Sequence, residues 1–129
     1  MTIAYWCILI SALLPYLWVG VAKASGERYD NEDPRSWQAR QTNPRSRRAS
    51  AAQLNGFESF PAFVAGVLMA QLAGVAHGTI TWLALAFVLA RVLHGLFYVI
   101  NLSPARSLAW LAGMACVVTL IVMAALRIG

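Results

Sequence analysis

The sequence predicts an all-α membrane protein, a four-transmembrane-helix antiparallel bundle, from three observations. Hydrophobic residues make up 60% of the 129-residue chain and charged residues 12%, with a mean hydropathy of +0.63. A soluble domain this short cannot hide so much apolar surface, whereas lipid removes the need to hide it. Four apolar runs, at residues 2–22, 51–75, 79–100 and 107–126, are each long enough to span about 30 Å of hydrocarbon at roughly 20 residues per helix. The two connections after the second and third runs are so short that neighbouring spans must form antiparallel hairpins. With their caps and first turns, the helices are expected over about 2–22, 44–75, 79–101 and 104–127, joined by a polar loop at about 23–43. Residues 1–129 form one domain.

The first span lacks the basic start and cleavage site of a secretory leader and is expected to be retained. After it, residues 23–48 hold seven of the ten basic residues and four of the five acids. Within this stretch Asp33-Pro34 and Asn43-Pro44 each place a capping side chain before a proline suited to a first helical turn. A short surface helix is therefore expected ahead of the second span, with Trp37 as its anchor at the membrane interface. Pro61 deletes one backbone hydrogen bond inside the second span, a loss that neighbouring membrane helices tolerate. The third connection ends in Ser103-Pro104, again read as a cap followed by proline, which places Arg106 in the first turn of the fourth span.

The loop after the first span and the connection after the third hold eight Lys and Arg residues, while the N-terminus and the middle connection hold none. By the positive-inside rule those two basic connections lie in the cytoplasm and both termini on the other side. The net charge of +5 is thus explained by membrane topology and not by a nucleic-acid partner. Cys7 and Cys116 lie inside apolar runs without metal or redox spacing and are read as small core hydrophobes. No metal is expected.

Polar residues inside membrane spans carry the functional information. In the second span Arg48, Asn55 and Glu58 are spaced seven and three apart; in the third, Arg91, His94 and Tyr98 are spaced three and four apart. Each set shares one helix face. At a rise of 1.5 Å per residue, Glu58 lies about 10–15 Å from the cytoplasmic start of its span and Arg91 about 15 Å from the matching end of its own. A charge facing lipid there costs about 2.5–3.5 kcal/mol on insertion scales, so a Glu58–Arg91 ion pair is expected. Two readings of the cluster stand open: a lock between helices, with Asn55 and Tyr98 satisfying leftover hydrogen bonds, or a polar pocket that Arg48, Tyr98 and Arg106 extend to the cytoplasmic surface. Arg106, with the Ser107 hydroxyl, sits at a helix N-terminus whose free N–H groups favour an anion; an ordinary positive-inside arginine is the alternative. His94 is either a packing residue or a proton carrier. A proton-coupled exporter is disfavoured, because the ionisable residues of the first span are only Tyr5, Cys7 and Tyr16.

The stretch from Arg48 to Phe63, Arg-Ala-Ser-Ala-Ala-Gln-Leu-Asn-Gly-Phe-Glu-Ser-Phe-Pro-Ala-Phe, resembles the signature of the MAPEG family, the membrane-associated proteins in eicosanoid and glutathione metabolism. Ala90-Arg91-Val92-Leu93-His94 with Tyr98, and then Arg106-Ser107, resemble the family's third helix and the start of its fourth. The resemblance covers nearly the whole chain. It implies four-helix subunits assembled as a homotrimer, with glutathione as co-substrate bound between subunits near the cytoplasmic face and a lipophilic small molecule as second substrate. Arg48, Asn55, Glu58, Arg91, His94 and Tyr98 then match positions at or around the glutathione site, and Arg106, with Ser107 beside it, is the catalytic candidate that stabilises a thiolate. The implied activity is a glutathione S-transferase-like transfer or a peroxidase reaction on lipophilic electrophiles; a non-catalytic, amphiphile-binding or structural member is the alternative. The expected setting is a bacterial inner membrane. The chain departs from the pattern at Ala51, where several glutathione-using members carry arginine, and the stretch from Tyr98 to Arg106 is a residue shorter than in some relatives.

Overall fold

Prolines and left-handed residues set the element boundaries. The computed structural model describes residues 1–129 as five helices without strands: α1 (Thr2–Ser25), α2 (Pro34–Arg40), α3 (Pro44–Leu72), α4 (His77–Val99) and α5 (Ser103–Ile128). Asp33 caps α2 by accepting from the Ser36 N–H at 3.2 Å, and Asn43 caps α3 by accepting from the N–H groups of Arg45 and Ser46 at 3.0 and 3.2 Å. Each cap precedes a proline whose missing N–H would have found no helical acceptor.

Both hairpin connections close by the same C-terminal motif. After α3, Gly74 takes φ +73°, its N–H donates to the Gln71 carbonyl at 3.1 Å, and the Val75 N–H donates to Ala70 at 3.0 Å. After α4, Asn101 takes φ 63°, donates to Tyr98 at 3.2 Å, and Leu102 donates to Phe97 at 2.8 Å. These paired bonds satisfy carbonyls that a helix end leaves free, and they need a left-handed residue, met once by glycine and once by asparagine. One expectation fails here. Ser103 does not cap α5, because Leu102, the last residue of the motif, is the N-cap and makes no side-chain bond; Ser103 and Pro104 are already helical.

α1, α4 and α5 are long and apolar enough to cross a membrane. At 29 residues α3 is the longest helix, but Arg45, Arg47, Arg48 and Glu58 dilute its apolar character. α3 packs on α1, α4 and α5, and α4 on α1 and α5, so α1 and α5 occupy opposite corners of an up-down-up-down bundle. Phe63 on α3 and Phe87 on α4 stack at 3.9 Å between ring centroids. Around them Cys7, Val67, Ala70, Ile80, Ala84, Val117, Leu120 and Ala124 form a core confined to the half of the bundle that holds the termini. Both cysteines are free.

The basic connection between α1 and α3 folds into a cap. Gln41 is buried, donating from Nε2 to the Trp37 carbonyl at 2.8 Å and accepting from the Glu27 N–H at 3.0 Å, while the Ser46 hydroxyl donates to Ala22 at 2.8 Å. Trp37 corrects a second expectation: it is not a membrane-interface anchor but 3% exposed, its Nε1 donating to the Arg28 carbonyl at 3.0 Å and its ring edge-on to Tyr29. Burying the indole under the loop gives seven-residue α2 the tertiary contact that an isolated helix of that length lacks.

Candidate functional site

The tight α4–α5 turn decides the site. Only Ile100, Asn101 and Leu102 separate the two helices, so the first turn of α5 sits beside the last turn of α4. The Arg106 guanidinium carbon lies 4.3 Å from the centre of the Tyr98 ring, a cation–π contact that fixes a long side chain. Tyr98 in turn meets His94 edge-on at 5.5 Å, as expected of residues four apart on one helix. From α3, Asn55 completes the wall.

Together Asn55, His94, Tyr98, Arg106 and Ser107 line one open groove of about 440 Å³, which Trp110 and Leu111 extend along α5. That volume lies in the range of small-molecule sites. The His94 ring is 3% exposed and its Nδ1 has no hydrogen-bond partner. Buried polar atoms are paired in the great majority of cases, so His94 Nδ1 stands out among the residues that line the groove.

Arg91 stands behind the groove. It is 5% exposed and donates from Nη2 to the Asn55 Oδ1 at 2.7 Å, a charge-assisted bond that fixes the asparagine. The expected Glu58–Arg91 ion pair is absent: the one carboxylate–cation contact within 4.0 Å joins Asp30 to Arg40, at 3.8 Å, in the polar loop. Asn55 and Glu58 are three residues apart, about 60° around the helix. That rotation aims Asn55 at α4 and leaves Glu58 exposed.

Arg48 donates from Nε to the Val99 carbonyl at 3.2 Å, closing a free carbonyl at the end of α4. It also lines a neighbouring cavity of about 350 Å³ with Pro44, Arg47, Ala51 and Tyr98. Tyr98 is thus the shared wall of two adjoining spaces, one walled by Arg106, the other by Arg47 and Arg48. Arg47 was not among the sequence candidates, although it sits one turn before Ala51 and so on the same helix face. Trp110 and Leu111 were also missed; both lie four residues after Arg106 and Ser107, a spacing that contains the signal. A third cavity, of about 290 Å³ between α1, α2 and α3, is walled in part by Lys23, Tyr29, Arg35 and Gln53.

The helical membrane architecture and the positions of these residues define an integral membrane protein with a polar, cationic groove at one end. A family model agrees: the MAPEG family matches residues 3–126, and the chain belongs to that family. No curated protein and no solved structure matches it.

Proposed function

We propose that the chain is a glutathione-dependent membrane transferase or peroxidase that acts on lipophilic electrophiles. The observation that carries this reading is the convergence of Asn55, His94, Tyr98, Arg106 and Ser107, from three helices, on one groove. Glutathione is a tripeptide with two carboxylates, an ammonium and a thiol, so its site needs cations, hydrogen-bonding groups and one place for negative sulfur. The groove and the adjoining cavity offer Arg106, Arg48 and Arg47 as cations, with Asn55, Tyr98 and the unpartnered His94 Nδ1 as hydrogen-bonding groups.

Bound there, glutathione supplies a sulfur nucleophile and no metal is required. Arg106 stabilises the thiolate over the thiol, the direction in which a neighbouring cation moves any cysteine-type sulfur, and the Ser107 hydroxyl donates beside it. The sulfur then attacks an electrophilic centre, displacing its leaving group, or attacks a hydroperoxide oxygen, breaking the O–O bond to release the alcohol and form a sulfenic acid that a second glutathione converts to the disulfide and water. Trp110 is 38% and Leu111 57% exposed; they give the second substrate an apolar approach along α5. Arg47 fills the role left open by Ala51, placing a guanidinium in the same cavity from one turn away.

α3 is the fourth span in this reading, the basic connections lie in the cytoplasm, both termini lie on the far side, and the membrane is a bacterial inner membrane. Glu58 supports assembly as a homotrimer: it is exposed halfway along α3, where lipid contact would cost about 2.5–3.5 kcal/mol, and a neighbouring subunit covers it.

Ala51 is the observation that favours the rival, a non-catalytic amphiphile-binding or structural member of the family. Arg106→Ala separates the two. For the enzyme, turnover of a lipophilic electrophile and the thiolate absorbance that develops on adding glutathione are both lost while the fold is retained. An unchanged functional readout in that variant supports the rival.

A further inference from the structure

Besides its groove, the molecule holds a small, partly open void between α1, α3 and α4. Its walls include Ser11, Pro15 and Trp18 from α1, Ser59 from α3, and Phe87 and Arg91 from α4, and its volume is about 10 Å³. That is roughly one water molecule's worth of probe space, and a site of this size holds water only where polar groups line it.

The polar groups are present and unspent. Ser11 is 6% exposed and its Oγ has no hydrogen-bond partner. Four residues later stands Pro15, inside α1, which has no N–H to donate to the Ser11 carbonyl. Ser11 therefore has a free hydroxyl and a carbonyl deprived of its regular helical donor. Arg91, 95% buried, spends one of its five donors on Asn55 and has no carboxylate within 4.0 Å. In membrane helices, ordered water is one of the devices that satisfy backbone groups freed by proline.

We propose that this void is a binding site for a single water molecule, bridging Arg91 to Ser11. The water accepts from the guanidinium and from the Ser11 hydroxyl, and donates to the Ser11 carbonyl. It hydrates a buried cation that no carboxylate contacts directly, and it ties α1, which lends no side chain to the groove, to the arginine that orients Asn55. The site is independent of the glutathione reading, and its test uses no ligand.

The test is a high-resolution crystallographic map of the purified full-length protein, paired with radiolytic hydroxyl labelling, which oxidises side chains beside bound water. The expected map has one isolated peak within hydrogen-bond distance of Ser11 and the Arg91 guanidinium. Trp18 and Phe87, 4% and 1% exposed, are expected to be labelled despite their burial. Ser11→Val, which fills the void and removes the hydroxyl, should abolish that labelling. A map with no peak, a direct Ser11–Arg91 contact, or labelling unchanged in Ser11→Val overturns the proposal. If the variant does not fold, the wild-type map decides alone.

Discussion

The two halves of the bundle are made from the same four long helices and differ in what meets between them. In the half that holds the termini, Phe63 stacks on Phe87 among alanine, valine, isoleucine and leucine, and no charged side chain enters. In the loop half, Arg91, His94 and Ser50 are buried, Arg91 reaches Asn55, and a groove opens between α3, α4 and α5. Packing fixes the helices in the first half so that polar groups can be held in place, with bonding capacity to spare, in the second. A Cβ on Gly95, in the loop half, would collide with the Trp18 ring, whereas α1 approaches α4 this closely only because that position is bare.

Breaking the apolar half should cost the most. Phe63→Ala removes a fully buried ring and is expected to destabilise the protein by about 3–5 kcal/mol, read by denaturation in mixed micelles, while glutathione affinity of the folded fraction stays unchanged. In the polar half Asn55→Ala strips Arg91 of its acceptor and should cost about 1.5–3 kcal/mol, the range for hydrogen bonds to charged groups. Glu58→Gln should cost less, reversing the order expected had Glu58 been the partner of Arg91.

A smaller effect sharpens the comparison of the two hairpin turns. Asn101→Ala puts an ordinary side chain at φ 63° and should lose about 1–2 kcal/mol, whereas Asn101→Gly should be close to neutral, as Gly74 already shows at the opposite end of the bundle. The smallest effect lies in the polar cap. Hydrogen bonds from Ser36, helped by the charge of Arg40, hold the Asp33 carboxyl below its usual range. A carboxylate depressed in the folded state stabilises above its unfolded pKa of about 3.9 and loses that contribution as pH falls through the folded value. Acid should therefore fray α2 before it disturbs the bundle, detectable as loss of amide protection confined to residues 34–40.

Composition and run length made the membrane class legible, because burial in lipid needs only apolar residues in sufficient number. Asp33-Pro34 and Asn43-Pro44 were legible because a cap acts within one turn of its own residue. Helical spacing made Arg48, Asn55 and Glu58 legible as one face and Arg91, His94 and Tyr98 as another, whereas their grouping with Arg106 and Ser107 in one site came from the resemblance to the family. What spacing cannot give is the rotation of one helix against its neighbour: Glu58 and Asn55 share a face, and the rotation makes Asn55 the hydrogen-bond partner of Arg91 in place of the expected Glu58 ion pair. Trp37 was misplaced for a related reason: an indole suits a membrane interface and a buried loop core equally, and only the fold of residues 26–43 distinguishes them. Ser103 looked like a cap because it precedes proline, yet the C-terminal motif of α4 had already consumed the residues a separate cap would need. The Ser11 site was invisible, since it depends on three helices meeting.

Titration calorimetry with glutathione, on the purified protein in micelles, tests the central claim most directly. Saturable heat in the wild type, retained in the folded fraction of Phe63→Ala and weakened in a Tyr98→Ala variant, is the predicted result, because Tyr98 walls both polar spaces and Phe63 neither. No saturable heat at millimolar glutathione, or equal affinity in the Tyr98 variant, would contradict it.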